Sequence, residues 1–177
     1  MLMRAITVAY LCFALIVLCL IIHITVFSVP TWVYYKDSVS TSYFGLWTLC
    51  TGMVGKVTCV PTSGHPSFSG QDWFRAVQAL ECLGLIAIIS ANVCSFISIF
   101  LVTAERLLNL ATVILMNVAA VFILIGSIIF GVRVNSIPST VVLAEYLYVP
   151  YGFNIVGGAL CSVAGMCMLA YKSKFSY

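Results

Sequence analysis

The chain has 177 residues, 63% of them hydrophobic and 7% charged, whereas a soluble domain carries about a quarter of charged residues to keep its surface wet. Such a composition belongs to a membrane protein. Eight basic and five acidic residues, a formal charge of +3, are spread too thinly to form the basic field that nucleic acid requires. Four spans of about 20 residues with their connections use nearly the whole length, so no second soluble domain fits and residues 1–177 read as a single domain.

Backbone in lipid must satisfy its own hydrogen bonds, and a helix needs about 18 or more apolar residues to cross the bilayer. Four runs qualify: about 5–29, interrupted only by His23; about 73–103; 110–132; and about 149–171. Pro30, Pro138 and Pro150 stand near their ends. The first run follows Arg4 as a secretory signal would, yet about 18 apolar residues pass before His23 and no small-residue cleavage pattern follows, so it reads as an uncleaved span. The connections are then a long loop, about 30–72, a very short one around Glu105 and Arg106, and a medium one, about 133–148. Arg4, Arg106, Lys172 and Lys174 lie on the terminal side, Lys36, Lys56, Arg75 and Arg133 on or near the other, so the positive-inside count is tied. Long loops translocate largely regardless of charge, and the only cysteines outside the apolar runs, Cys50 and Cys59, sit in the long loop. Both facts place that loop outside and the termini in the cytoplasm.

Residues 31–60 read TWVYYKDSVSTSYFGLWTLCTGMVGKVTCV, aromatic and β-branched runs separated by Gly and Ser, which predicts strands and turns. Three strands are expected, about Thr31 to Lys36, Phe44 to Cys50 and Lys56 to Val60, the last two forming a hairpin through Met53 and Val54. Cys50 and Cys59 then lie on paired strands, where a disulfide closing about ten residues contributes roughly 2.5–3 kcal/mol. The alternative is two free or metal-binding thiols, against which stand the lack of zinc spacing and the isolation of His65.

Trp32, then Gly45, Leu46 and Trp47, then Cys50 and Cys59, then Arg75 at the mouth of the second run resemble the W, GLW, C, C and R signature of the claudin superfamily. That group includes claudins, peripheral myelin and epithelial membrane proteins, lens fibre membrane intrinsic protein, calcium-channel gamma subunits and lipoma fusion-partner-like tetraspans. The resemblance covers the whole four-span plan. It implies an all-α membrane protein: a left-handed bundle of four transmembrane helices crowned by a small extracellular antiparallel β-sheet. DWFRAVQAL from Asp72 and the YGF of Tyr151 to Phe153 are similar to the myelin and epithelial branch, whereas DSVST and YFGL are similar to the lipoma fusion-partner-like branch. The chain ends KFSY rather than in the Tyr-Val of many claudins, so binding of scaffold PDZ domains is not expected. The second outer loop has no cysteine pair, and no N-x-S/T acceptor for glycosylation occurs.

Among single residues, Glu81 is the one carboxylate inside a span, about nine residues beyond Asp72 and so roughly 14 Å along the helix. A charge there is costly, so it should be protonated or paired, with Asn117, Asn154 or His23 as partner across the bundle. Arg75 is expected to cap loop carbonyls and pack against Trp32 or Trp47. The two tryptophans read as interface anchors that support the sheet. Cys12, Cys19, Cys82, Cys94, Cys161 and Cys167 lie in apolar runs and read as packing, with Cys167 near enough to Lys172 for palmitoylation. Gly157, Gly158, Cys161, Ser162 and Gly165 make small-xxx-small steps suited to close packing within the bundle. Met53 and Val54, apolar at a hairpin tip, are candidate partner contacts. No carboxylate pair, nucleophile with histidine, metal spacing or phosphate-cradling loop is present, so neither an enzyme nor a cofactor is expected.

The leading functional expectation is a non-enzymatic plasma-membrane tetraspan that mediates cell junction, adhesion or membrane organisation through its outer sheet and lateral helix packing. Its partners are then the lipid bilayer and other copies of itself. The alternative is an auxiliary subunit of a larger ion channel or receptor, and a third reading, a paracellular pore, is disfavoured by the balanced charge of Lys36, Asp37, Lys56, His65 and Asp72.

Overall fold

The computed structural model describes residues 2–38, 40–53, 56–101, 106–138 and 142–175, with the side chains of all of these except 2–6, 53 and 171–175. Among them are four long helices: α1 (Leu2–Ser28), α2 (Asp72–Phe96), α3 (Arg106–Arg133) and α4 (Val149–Phe175). All four contain stretches long and apolar enough to cross a bilayer, and the chain is a multi-pass membrane protein. α2 runs on into a π-helical turn, Ile97–Leu101. The end expected for the second span, near Thr103, lies outside the described residues. α3 begins at Arg106 rather than Leu110 because a long basic side chain in the first turn can reach back to the polar interface, so a charge ends an apolar run without ending the helix.

Between α1 and α2 stands a meander of four antiparallel strands in the order β1 (Val33–Lys36), β2 (Ser40–Phe44), β3 (Thr48–Met53) and β4 (Lys56–Pro61). The sequence predicts three, and the difference lies at two places. Ser40–Phe44 forms a strand although three of its five residues are Ser or Thr, because β1 on one side and β3 on the other satisfy its backbone. The expected strand from Phe44 to Cys50 is broken at Gly45, Leu46 and Trp47, where the Gly45 amide donates to the Thr48 carbonyl at 3.0 Å and the chain turns. The break has a steric cause. A Cβ on Gly45 would lie 2.5 Å from the Val29 carbonyl oxygen and 2.9 Å from Pro30 Cα, so this turn rests directly on the backbone leaving α1.

The connection between α3 and α4 contains two short 3₁₀ turns, Val134–Ser136 and Leu143–Tyr146. It closes the β1 edge of the sheet, since Val33 bridges Leu147 and the Tyr148 amide donates to the Trp32 carbonyl at 2.9 Å. The β4 edge is uncovered, with all six residues exposed.

Inside the bundle the helices form a ring in which α2, α3, α4 and α1 are successive neighbours. Burial there is carried by small residues, including Ala87, Ala91, Ala119, Ala120 and Ala164. A Cβ on Gly84 would lie 2.8 Å from Ile123 Cγ1, and one on Gly165 2.7 Å from Asn117 Nδ2. Close approach of this kind holds helices together where lipid tails remove the hydrophobic drive between them. Gly157 and Gly158, on the small-residue steps of α4, face Ile22 of α1 and Ile123 and Leu124 of α3 respectively, so both serve packing within the bundle. A second core joins bundle to sheet and contains Trp32, Phe44, Leu46, Phe68, Phe74 and Phe130.

Candidate functional site

The candidate site has two layers: the junction that seats the sheet on the helices, and a polar seam inside the bundle below it. The junction begins at the end of α1. In a helix the carbonyl of residue 26 would accept from the amide of residue 30, but residue 30 is proline and has no N–H. Trp32 supplies the missing donor, its indole Nε1–H reaching the Val26 carbonyl at 2.9 Å. The ring itself is fully buried, with centroids 5.0 Å from Phe130 and 6.0 Å from Tyr151. Trp32 is therefore a helix cap and a core residue rather than an interface anchor. Trp47 keeps over a third of its surface exposed and packs on Phe27 of α1 at 5.1 Å.

Leu46 ties the turn to α2. Its side chain is fully buried, and its carbonyl accepts two hydrogen bonds, from Thr62 Oγ1 at 2.9 Å and from Gln78 Nε2 at 2.6 Å. The Thr62 amide also donates to the Trp47 carbonyl at 3.0 Å. The role expected of Arg75, capping a loop carbonyl, thus belongs to Gln78 one turn further along. Arg75 is exposed, and among the described residues the rings packed on Trp32 and Trp47 are those of Phe130, Tyr151 and Phe27. Helical geometry explains the exchange: Gln78, four residues after the buried Phe74, shares its face, whereas Arg75, the next residue after Phe74, is turned about 100° away from it. The sequence signal that could have found Gln78 is that it is an amide in an otherwise apolar face beginning at Phe74 and Val77.

Cys50 and Cys59 face one another in the β3–β4 register and form a disulfide, with a Cα separation of 4.0 Å. Cys50 is buried and Cys59 lies on the exposed strand. Of the candidate contacts at the hairpin tip, Val54 and the side chain of Met53 lie outside the described residues.

The polar seam takes one residue from each helix: His23 from α1, Glu81 from α2, Ser127 from α3 and Asn154 from α4, none more than 2% exposed. Each lies five to nine residues inside the sheet end of its helix, about 8 to 14 Å at the helical rise. Asn154 Nδ2 donates to Glu81 Oε1 at 2.8 Å and to Ser127 Oγ at 3.0 Å. His23 Nε2 lies 3.3 Å from the Glu81 backbone oxygen and 3.8 Å from Glu81 Oε2. Room for the Glu81 side chain comes from Gly126, where a Cβ would lie 2.8 Å from Glu81 Oε1. Two of the partners expected of Glu81, His23 and Asn154, are thus at hand. The third is not: Asn117 Nδ2 donates at 2.8 Å to the Val113 carbonyl of its own helix. Ser127 escaped the sequence reading because a serine in a span is unremarkable until a carboxyl is placed opposite it.

Towards the other end of the bundle, Ser98 in the π-helical turn donates to Asn109 Oδ1 of α3 at 2.7 Å. Among the free cysteines, Cys12, Cys19 and Cys161 are buried, and Cys82, Cys94 and Cys167 half-buried. Cys167 packs beside Cys12, Val113 and Met168.

A sheet between the first two of four spans, seated by a tryptophan and a Gly-Leu-Trp turn and stapled by one disulfide, agrees with a match of residues 4–170 to the model of the PMP-22/EMP/MP20/Claudin family. The chain belongs to this family. No curated protein matches the chain individually. The geometry accounts for part of the signature in physical terms: Trp32 caps α1 past Pro30, Gly45 permits contact with the α1 exit, and Leu46 offers a buried carbonyl to α2.

Proposed function

We propose that this family member is a junction or adhesion protein of the plasma membrane that acts by association rather than catalysis, with the sheet outside the cell and both termini in the cytoplasm. The observation that carries the proposal is the asymmetry of the sheet. One edge is closed by Leu147, whereas β4 leaves its backbone groups and the side chains of Val57 (54% exposed) and Val60 (37%) uncovered. An uncovered edge strand with apolar side chains is a template for pairing with another chain, and the disulfide to β3 holds it in register. Helix–helix contact in the bilayer would add lateral packing, and Met53 and Val54 are further candidate contacts at the tip.

The test expresses the full chain, tagged, in cells that form no junctions of their own and measures enrichment at contacts between expressing cells together with cross-linking between copies. The wild type concentrates at contacts and cross-links to itself, while Val57→Asp with Val60→Asp reaches the surface and does neither. Equal enrichment of both proteins removes the edge from the mechanism. Copurification with a larger polytopic protein, without homo-oligomers, replaces the proposal with the auxiliary-subunit reading.

A further inference from the structure

The seam of His23, Glu81, Ser127 and Asn154 leaves two buried oxygens without a hydrogen-bond partner among the described residues, Glu81 Oε2 and Asn154 Oδ1. They belong to the two residues already joined through Asn154 Nδ2 and Glu81 Oε1 at 2.8 Å. Both are acceptors as long as Glu81 is a carboxylate, and with neither residue more than 1% exposed both are left short of a donor. One proton on Glu81 Oε2 changes that: the acid O–H can donate to Asn154 Oδ1 while the amide N–H donates to Oε1, closing a two-bond acid–amide pair. We propose that the bundle holds one proton at Glu81 Oε2, shared with Asn154, as a lock between α2 and α4.

Those two helices lie across the diagonal of the ring, where no extended helix–helix seam joins them. The lock therefore ties two spans that do not pack side by side. The other groups facing Glu81 are consistent with a neutral acid. From α1, His23 presents Nε2 to the Glu81 backbone oxygen at 3.3 Å, which requires that nitrogen to carry the hydrogen, as the neutral ring allows. From α3 come only Ser127 and Gly126, neither of them charged. On α4 the ionisable neighbour is Tyr151, whose hydroxyl donates to the Ser127 carbonyl at 3.0 Å, and on α2 it is the adjacent Cys82. The rival arrangement, an ion pair of charged His23 and Glu81 at 3.8 Å, also sets His23 beside Asn154, whose Oδ1 still has no hydrogen-bond partner among the described residues. The proton supplies both orphans at once. Its loss turns the pair into two opposed acceptors, so the lock closes in acid and opens in alkali.

Infrared difference spectroscopy of the full chain in nanodiscs tests this at neutral pH, where exposed carboxyls are ionised. A carbonyl-stretch band of a neutral carboxylic acid is expected, shifted by ¹³C-glutamate labelling and absent in Glu81→Gln. The glutamine can donate and accept as the acid does, so Glu81→Gln keeps the wild-type thermal midpoint, whereas Asn154→Leu lowers it and moves the acid band towards the frequency of an unbonded carboxyl. Absence of any acid band in the wild type, or a band that ¹³C-glutamate does not shift, overturns the proposal without relying on a variant that must fold. A carboxylate band together with destabilisation by Glu81→Gln establishes the ion pair with His23 instead.

Discussion

Replacing Gly45 by alanine tests whether the sheet is seated by backbone contact with the end of α1. The added Cβ would lie 2.5 Å from the Val29 carbonyl oxygen and 2.9 Å from Pro30 Cα, where ordinary contact begins at 3.4 Å. Both obstacles are backbone atoms, and Pro30 is held by its ring and by the Trp32 cap on Val26. Neither can swing aside as a side chain would, so the turn must lift by roughly 1 Å, and close-packed interiors do not absorb such a shift without cost. Leu46 and Trp32, both fully buried, lose contact when it does. Overpacking of this kind costs about 1–3 kcal/mol. The matched control is Gly52→Ala, whose Cβ would meet the movable Cγ2 of Val57 at 3.1 Å and the Lys56 carbonyl oxygen at 3.3 Å, neither as close as the backbone atoms facing Gly45. Thermal unfolding in mild detergent, followed by tryptophan fluorescence and by protease sensitivity of the loop between α1 and α2, should separate the two variants. Gly45→Ala melts lower and is cut faster, and Gly52→Ala stays near wild type. A Gly45→Ala protein with unchanged midpoint and protease resistance refutes the seating.

Three further outcomes are expected. Changing Cys50 and Cys59 to serine frees a loop with a sequence separation of 9, worth about 2.6 kcal/mol in the chain-entropy picture, so the sheet should be cleaved faster in limited proteolysis while circular dichroism shows the helices intact. Thr62→Val and Gln78→Leu each remove one of the two donors to the Leu46 carbonyl; each should destabilise by about 0.5–1.5 kcal/mol, and the pair together by more than the sum of the two, because only the double variant strands a buried acceptor. Gly126→Ala drives a methyl into Glu81 Oε1 and should lower the melting midpoint, with partial recovery when the shorter Asp replaces Glu81; the absence of any recovery would show that the glycine serves something other than room for the carboxyl.

Much of this architecture is legible in one dimension because the bilayer imposes a simple rule. A run of apolar residues long enough to cross must be helical, and its length alone reveals it. The disulfide is legible for a related reason: Cys50 and Cys59 are the only thiols outside such runs, and a hairpin between them brings them opposite. The strand at Ser40–Phe44 is not legible, since its residues have modest strand preference and its stability comes from neighbours on both sides. The same holds for the choice of Gln78 over Arg75 at the junction, which depends on which face of α2 turns towards the sheet.

What the sequence by itself determined is where the chain meets lipid, because the cost of exposing polar backbone to hydrocarbon is local and is decided residue by residue. It also singled out Glu81 as anomalous, for a carboxyl in a span needs a reason wherever the helix lies. Only the tertiary structure decided the reason's partners, bringing His23, Ser127 and Asn154 from three other helices within reach and leaving Asn117 bonded to a carbonyl of its own helix. It likewise turned Gly45 from a turn residue into a seat for the sheet. Such pairings are set by helix rotation and crossing, which depend on packing between segments far apart in the chain, and no local pattern encodes them.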